Sequence, residues 1–444
     1  MLQLEEEEEE QEEQEEEQEE QEEDYKNFLD GVQAAMRMLR LTNYRHRSKL
    51  IAAAAAAWHL YNKTVFSVYL ILFRVTEMLL QDPLAAPASL AISTAVCCCI
   101  NLKMSWNAKQ KLPFLEGKDS DYFQSYSRLE THMNMLRDSV RMEAFRDAIV
   151  QNRGLFQDKV VLDVGCGTGI LSLFAAEAGA SKVIAVECTD IADLAEEIIR
   201  DNQKEDVVKV VKGLVEQVEL PDGIEKVDII VSEWMGNALY MEAMINSVLF
   251  ARDKWLTRGG RILPSTGNLW LMGAYDPHRR TNLNFWCNVE GIDMGCVKKP
   301  FSQEPLVECV PIQQLLTDEC FIHSTNLAVA RNQPVQFQSN FQLKVMRTGI
   351  INMLVLYFDV LFPSGKSNKS VTLSTSPHSP WTHWEQTVLH LDEPLYVRIR
   401  DRVRGELAMT PTGQDGRGMN FDLHLSFRGE RTRVESFKSF CSSS

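Results

Sequence analysis

The chain holds 444 residues, enough for two or three domains by length, with 62 acidic against 46 basic side chains. The formal charge of -16 is local, because residues 1–24, "MLQLEEEEEEQEEQEEEQEEQEED", supply sixteen acids and no Lys or Arg, and the remaining body is neutral. A neutral body excludes a broad basic face, so no direct nucleic-acid partner is expected; ten cysteines without a CxxC pair or a zinc-spaced His/Cys cluster exclude a structural metal site and fit a reducing compartment.

The Glu/Gln tail over 1–24 reads as disordered low-complexity sequence. A solubilising leader and an acidic lure for basic proteins share that composition. Residues 25–117 form a poorly defined extension. Within it, Thr64–Leu80 is apolar but broken by Arg74 and Glu77. "PLAAPASLAISTAVCCCINL" (Pro83–Leu102) is uncharged and about long enough to cross a bilayer. Its Ala, Ser and Pro content makes it a weak membrane signal, so a loosely ordered extension without an anchor is expected. No cleavable signal peptide begins the chain.

From Lys118 the text becomes regular. "KVVLDVG" (Lys159–Gly165), "SKVIAVE" (Ser181–Glu187), "VVKVVKG" (Val207–Gly213) and "VDIIVSE" (Val227–Glu233) are short β-branched runs. "TGILSLFAAEAGA" and "DIADLAEEIIRDNQ" between them show helical apolar spacing. Strands alternating with helices predict βαβ units and a Rossmann-like parallel sheet, with ligands at the carboxyl ends of the strands.

The first strand runs into "LDVGCGTGILS", whose Gly165, Gly167 and Gly169 let the backbone turn tightly and approach a ligand. Glu187 ends the next strand, where an acid accepts the two ribose hydroxyls of an adenosine moiety. Asp163, just ahead of the turn, would repel a pyrophosphate but suits the amino group and sulfonium of S-adenosyl-L-methionine. Asp163 as a cap on the turn amides is the plainer reading, and an NAD-type oxidoreductase stays as the minor alternative.

"VSEWMGNALYMEAM" (Val231–Met244) places Glu233 and Glu242 in a nearly uncharged stretch. Buried carboxylates are costly unless a cation meets them. The segment follows a strand end, turns at Gly236 and enters a helix running to about Trp255, which can fold both acids toward one point. The cation best matched by two converging carboxylates is a guanidinium, whose planar fork pairs bidentately. After Pro264 the pattern changes to alternating runs: "NLWLMGAY", "VQFQSNFQLKV", "NMLVLYFDVLF", "PLYVRIRDRV" and "MNFDLHLSFRG". These predict an antiparallel, barrel-like domain.

"DYFQSYSRLETHMNMLRDSVR" (Asp121–Arg141), "VLDVGCGTGILS", "VSEWMGNALYMEAM" and "SPWTHWEQT" (Ser379–Thr387) stand in the order of one family. From about Asp121 to Gly429 the chain resembles type I protein arginine N-methyltransferases, close to the principal member of that class. Such enzymes make monomethylarginine and then asymmetric dimethylarginine. The resemblance implies an S-adenosyl-L-methionine-dependent methyltransferase domain over 118–264 with an N-terminal lid helix. A β-barrel substrate domain over 265–440 follows, with a dimerisation arm at about 276–300 and an active site in the cleft between the two.

The resemblance also assigns residues. Glu233 and Glu242 grip the substrate guanidinium. His383 of "THW" pairs with Asp138 of "MLRDSVR" to orient the site and take the released proton. Tyr122, Phe123 and Tyr126 form the lid. His132 and Arg141 contact the cofactor, the arginine meeting its methionine carboxylate. Val215 and Glu216 surround the adenine, and Met135 and Met244 line the site, although spacing alone reads both as core. "TNLNFWCNVEGIDMGC" (Thr281–Cys296) matches the arm, with Phe285 and Trp286 as its anchors.

A head-to-tail homodimer is implied, as are cytoplasmic and nuclear residence and arginine-bearing substrates such as histone tails and Gly/Arg-rich RNA-binding proteins. Two departures stand out. "HMNML" replaces HEEML, bringing Met133 and Asn134, and Asn237 with Met241 replace hairpin aromatics. They point to a divergent paralogue with narrowed targets, and a catalytically weak scaffold stays as the alternative.

Overall fold

The computed structural model describes residues 119–363, 370–413 and 416–442. The acidic tail and the extension, with Pro83–Leu102, lie outside the described residues. Four helices come first: α1 (Asp119–Tyr126), α2 (Leu129–Arg137), α3 (Ser139–Ile149) and the short α4 (Arg153–Phe156). They lead into β1 (Val160–Val164), α5 (Ile170–Glu177), β2 (Lys182–Glu187), α6 (Ile191–Asp201), β3 (Val208–Lys212), β4 (Val227–Val231), α7 (Met244–Trp255) and β5 (Leu256–Leu263).

All five strands are parallel, in the order β3-β2-β1-β4-β5. Three of the β-branched runs become the central strands β2, β1 and β4, where helices cover the sheet and leave no wet face to pattern, and the fourth, β3, forms an edge. Thus β1 is buried from Val161 to Val164, α5 packs on β1, β2 and β3, and α7 packs on β1, β4 and β5. The strand order reverses between β1 and β4, which opens a crevice at their carboxyl ends. Gly165 and Glu233 flank that crevice. β5 was not anticipated, since Gly259 and Gly260 dilute the strand signal of "LTRGGRIL".

The second half continues with β6 (Thr266–Ala274), α8 (Arg279–Phe285), α9 (Lys298–Gln303), β7 (Leu306–Glu308), β8 (Cys320–Asn326) and β9 (Phe337–Lys344). Next come β10 (Gly349–Phe362), β11 (Val371–Ser374), β12 (Gln386–Val397), β13 (Arg402–Thr412), β14 (Gly418–Arg428) and β15 (Arg433–Ser442). They build two antiparallel sheets, β7-β12-β10-β6-β8 with β11 on β10, and β15-β14-β13-β9. β8 lies beside β9 and β12 beside β15, so the sheets close on each other in barrel-like fashion.

Two expectations change here. "PLYVRIRDRV" is not one strand: β12 stops at Val397 and a turn over Arg398–Asp401 precedes β13, with Arg400 left-handed at φ 76°. β15 also went unread, because its "RVESFKSFCS" alternates Val and Phe with charged and polar residues too thinly.

The halves are bolted together by aromatic side chains. Phe145 of α3 is fully buried and meets Phe362 of β10 edge-on at 5.0 Å. Such a pair adds about 0.5–1.5 kcal/mol beyond its burial. Tyr240 Oη lies 2.9 Å from Thr325 Oγ1 of β8. The expected arm is α8 with the loop beyond it, where Phe285 and Trp286 meet edge-on at 5.2 Å. Phe285 is 56% exposed.

Candidate active site

At the end of β1 the chain turns so sharply that the amides of Gly165 and Cys166 both donate to the Val186 carbonyl, at 2.9 and 3.0 Å. Gly165, Gly167 and Gly169 have φ of 70°, 54° and 81°, the left-handed region that favours glycine. A Cβ on Gly167 would lie 3.1 Å from the ring of His132. His132 is buried, with Nε2 2.7 Å from the Tyr126 carbonyl oxygen. Met244 packs on the turn, its Cε 2.7 Å from where a Gly165 Cβ would stand.

Two acids border this turn. Glu187 accepts the Gly167 amide on Oε2 and the Thr189 amide on Oε1, each at 2.9 Å. A carboxylate offers about four acceptor positions, so a diol can still be bound. Asp163 is wholly buried and accepts from Ser172 Oγ of α5 at 2.7 Å, so its partner is Ser172 rather than the glycine-turn amides. Its Oδ1 has no partner among the described residues. Burial pushes the Asp163 carboxyl up to about 7, against the Ser172 hydrogen bond that lowers it. Val215 is buried nearby in sequence to Glu216, whose Oε1 accepts from Ser247 Oγ of α7 at 2.6 Å.

The second wall is the hairpin after β4. Gly236 and Leu239 exchange backbone hydrogen bonds at 3.1 and 2.9 Å, closing a tight turn. Beyond it, Ala238, Leu239, Glu242 and Ala243 all have positive φ, from 46° to 73°. Non-glycine residues persist in that region only where surroundings over-determine them. Here Trp384 Nε1 donates to the Met235 carbonyl at 2.9 Å, and the Glu242 amide donates to the Arg417 carbonyl at 2.8 Å.

The two carboxylates of this hairpin are near enough for the charge of Glu233 to act on Glu242. Glu233 Oε2 lies 3.4 Å from Arg141 Nε, in a pair only 11% and 7% exposed, and its Oε1 accepts the Met235 amide at 3.1 Å. Glu242 Oε2 accepts from Tyr126 Oη of α1 at 2.6 Å. Burial raises the Glu242 carboxyl above the usual glutamate range; the Tyr126 hydrogen bond opposes this and the Glu233 charge adds to it. Two carboxylates that feel each other inside protein call for a cation between them.

Asp138 joins three elements. It caps α3 by accepting the Arg141 amide on Oδ1 at 2.9 Å, while its Oδ2 accepts both the backbone amide and Nδ1 of His383 at 2.8 Å. Burial works to raise its carboxyl, but those donors outweigh it and hold the group below its ordinary value. A carboxylate can only accept, so His383 Nδ1 is the donor in that contact. Arg141 is anchored further by Nη1 donating to the Met135 carbonyl at 3.2 Å.

Helix α1 brings Tyr122, Phe123 and Tyr126 together, with ring centroids 5.1 Å apart in both pairs that Tyr122 makes. Its partner is a residue the sequence did not single out. Arg417, ahead of β14, sits over the Tyr122 ring at 4.0 Å and the Phe123 ring at 4.9 Å. A lone Arg in "GQDGRGM" carries no local signal, and Ser172 was missed for the same reason. The substituted Met133 is 41% exposed, whereas Asn237 and Met241 are half-buried in the hairpin.

With this geometry in hand, the chain was compared with known proteins. Residues 265–430 match the family model described as the arginine methyltransferase oligomerization subdomain, and residues 148–260 match that of ribosomal protein L11 methyltransferase (PrmA). Protein arginine N-methyltransferase 1 of Oryza sativa subsp. japonica is 42% identical over 314 residues, which cover 70% of this chain and 80% of the relative. Its namesake from Chlamydomonas reinhardtii is 40% identical over 320 residues, 72% and 92% of the two chains.

Among solved structures, the Trypanosoma brucei PRMT1 enzyme-prozyme heterotetrameric complex with AdoHcy superposes with a TM-score of 0.68 at 41% identity, covering 71% of this chain and 99% of that one. Arabidopsis thaliana protein arginine methyltransferase 10, in an open conformation, gives 0.64 at 31% identity over 72% and 99%. With the paired glutamates at the sheet's switch point and relatives matched over most of their length, the chain belongs to the type I protein arginine N-methyltransferase family.

Proposed function

We propose that Glu233 and Glu242 bind the guanidinium of a substrate arginine beside S-adenosyl-L-methionine, and that Asp138 and His383 handle the proton released on methyl transfer. The observation that carries this reading is the pair of carboxylates on one short hairpin, little exposed at Glu233 and near enough for its charge to act on Glu242. Glu233 is held on Oε2 by Arg141 and on Oε1 by the Met235 amide, and Glu242 on Oε2 by Tyr126. The cofactor fits the residues present: Asp163 Oδ1 is a buried acceptor with no partner among the described residues. Glu187 is held by two amides with acceptor capacity to spare, and Gly165, Gly167 and Gly169 give the turn beside it the left-handed backbone it needs.

Asp163, Glu187 and the glycines would hold the adenosine and amino ends, with His132, Arg141, Val215, Glu216, Met135 and the Tyr126 lid around them. When bound, S-adenosyl-L-methionine supplies an electrophilic methyl on a positive sulfur. The chain's own contribution is electrostatic and geometric. Arginine is protonated at any physiological pH, with pKa above about 12, and its nitrogen lone pairs are delocalised. Carboxylates on one side draw positive charge toward the nitrogens they touch and leave the remaining terminal nitrogen nucleophilic. Fixing that nitrogen in line supplies much of the rate. His383 Nε2 accepts the proton lost from it, and Asp138 stabilises the imidazolium through Nδ1–H.

The substrates that suit an acid-lined pocket are basic segments. Gly/Arg-rich stretches of RNA-binding proteins and histone tails, carried to asymmetric dimethylarginine, are the proposed targets. Purified full-length chain with isotopically labelled S-adenosyl-L-methionine and an Arg-rich peptide should yield labelled methylarginine by mass spectrometry. Glu233→Gln and Glu242→Gln should each bind cofactor in calorimetry yet lose transfer by about 100-fold or more, the scale of deleting one preorganised electrostatic group. Transfer at the parent rate by either variant would overturn the assignment.

A further inference from the structure

Arg417 reaches the site from the second half of the molecule, five residues beyond the end of β13 at Thr412 and one before β14. It makes two backbone contacts with one residue. Its carbonyl accepts the Glu242 amide at 2.8 Å, and its Nη1 donates to the Glu242 carbonyl at 2.7 Å. Both groups of Glu242, whose φ is 73°, are thereby held at a position that a glutamate rarely adopts. The same guanidinium lies over the rings of Tyr122 and Phe123. Tyr126, one turn along the same helix, holds the Glu242 carboxylate. Glu242 is thus clamped by its backbone from the barrel and by its side chain from the lid, and Arg417 touches both.

We infer that Arg417 is a positioning residue for methyl transfer: its guanidinium locks the Glu242 backbone and docks the α1 lid on the hairpin, so that the guanidinium pocket assembles only when lid, hairpin and barrel meet. This rests on the reading of Glu242 given above. An arginine suits the task because its planar fork donates in-plane while its faces stack on aromatic rings, two contacts a lysine cannot make together. Small displacements of a carboxylate that must meet a planar cation cost rate steeply, which places the effect in turnover more than in cofactor affinity.

The test uses the full chain with Arg417→Ala and Arg417→Lys. Arg417→Ala should lower kcat by about tenfold or more while cofactor affinity and the thermal midpoint stay at parent values, the signature of lost transition-state positioning. Arg417→Lys, which keeps a donor for the Glu242 carbonyl but not the ring stack, should recover part of that loss. Backbone hydrogen exchange over 236–243 should quicken in Arg417→Ala, reporting a loosened hairpin whatever the turnover. Parent-like kcat and exchange in Arg417→Ala would overturn the inference, as would a loss that comes only with a fallen thermal midpoint. A parent chain that fails to methylate, with the hairpin still loosened in Arg417→Ala, would instead sink the methyl-transfer reading and leave the latch standing.

Discussion

Glu242 pairs a left-handed backbone with a carboxylate tied to Tyr126 at 2.6 Å, and the pH response of the site follows from that bond. Burial raises the carboxyl, the Tyr126 hydroxyl lowers it and Glu233 raises it again, for a net upward shift. A protonated Glu242 cannot hold a guanidinium, so activity disappears as pH falls through this raised value. The acid limb of kcat/KM therefore lies above the ordinary glutamate value of about 4.3. Tyr126→Phe removes a donor that favours the charged form, so the limb should move to still higher pH. A pH–rate profile of the pair checks this; a limb that stays put or moves down would show that another group governs it. Glu233, Glu242 and Asp138 were legible as residues, since acids in apolar or family-specific contexts stand out. Arg417 and Ser172 were not, because nothing in their neighbourhoods along the chain marks them.

The hairpin from Gly236 to Ala243 is the element on which the site depends. No hydrophobic period describes it, and its shape comes from four non-glycine residues at positive φ held by partners far along the chain. Gly236 is where this packing is tightest, for a Cβ there would fall well inside contact distance of the Met241 carbonyl group. Gly236→Ala must push the turn apart and should cost about 2 kcal/mol or more, within the range of severe backbone effects. A urea titration should show the lowered midpoint, with methyl transfer lost in parallel; an unchanged midpoint would mean the turn relaxes freely. The central strands β1, β2 and β4 of the parallel sheet, by contrast, were readable because burial on both faces demands β-branched runs. β5 and β15 escaped because glycine in one and scattered charge in the other erase that pattern.

At the scale of the molecule, the matched oligomerization subdomain covers 265–430, which includes the segment expected to form an arm. Phe285, 56% exposed, and the half-buried Trp286 present apolar surface that an isolated chain leaves wet. Aromatic anchors of this kind carry most of an interface's energy, often 2 kcal/mol or more each by the usual hot-spot scale, about 30-fold in affinity. Replacing both with Ala should convert a dimeric mass to a monomeric one in light scattering at micromolar concentration. A parent chain that is already monomeric would remove the arm from the account of assembly.

By itself the sequence determined the parallel sheet, the glycine turn, the acid at the end of β2 and the presence of two carboxylates that need a cation. Those features follow from local propensity, period and charge, which neighbouring residues carry. Only the tertiary structure decided what each carboxylate faces. Arg141 meets Glu233 across 92 residues, Tyr126 meets Glu242 across 116, and His383 meets Asp138 across 245. No local pattern encodes such pairings. They arise because a buried charge needs polar partners, and only the tertiary packing brings residues so far apart along the chain together.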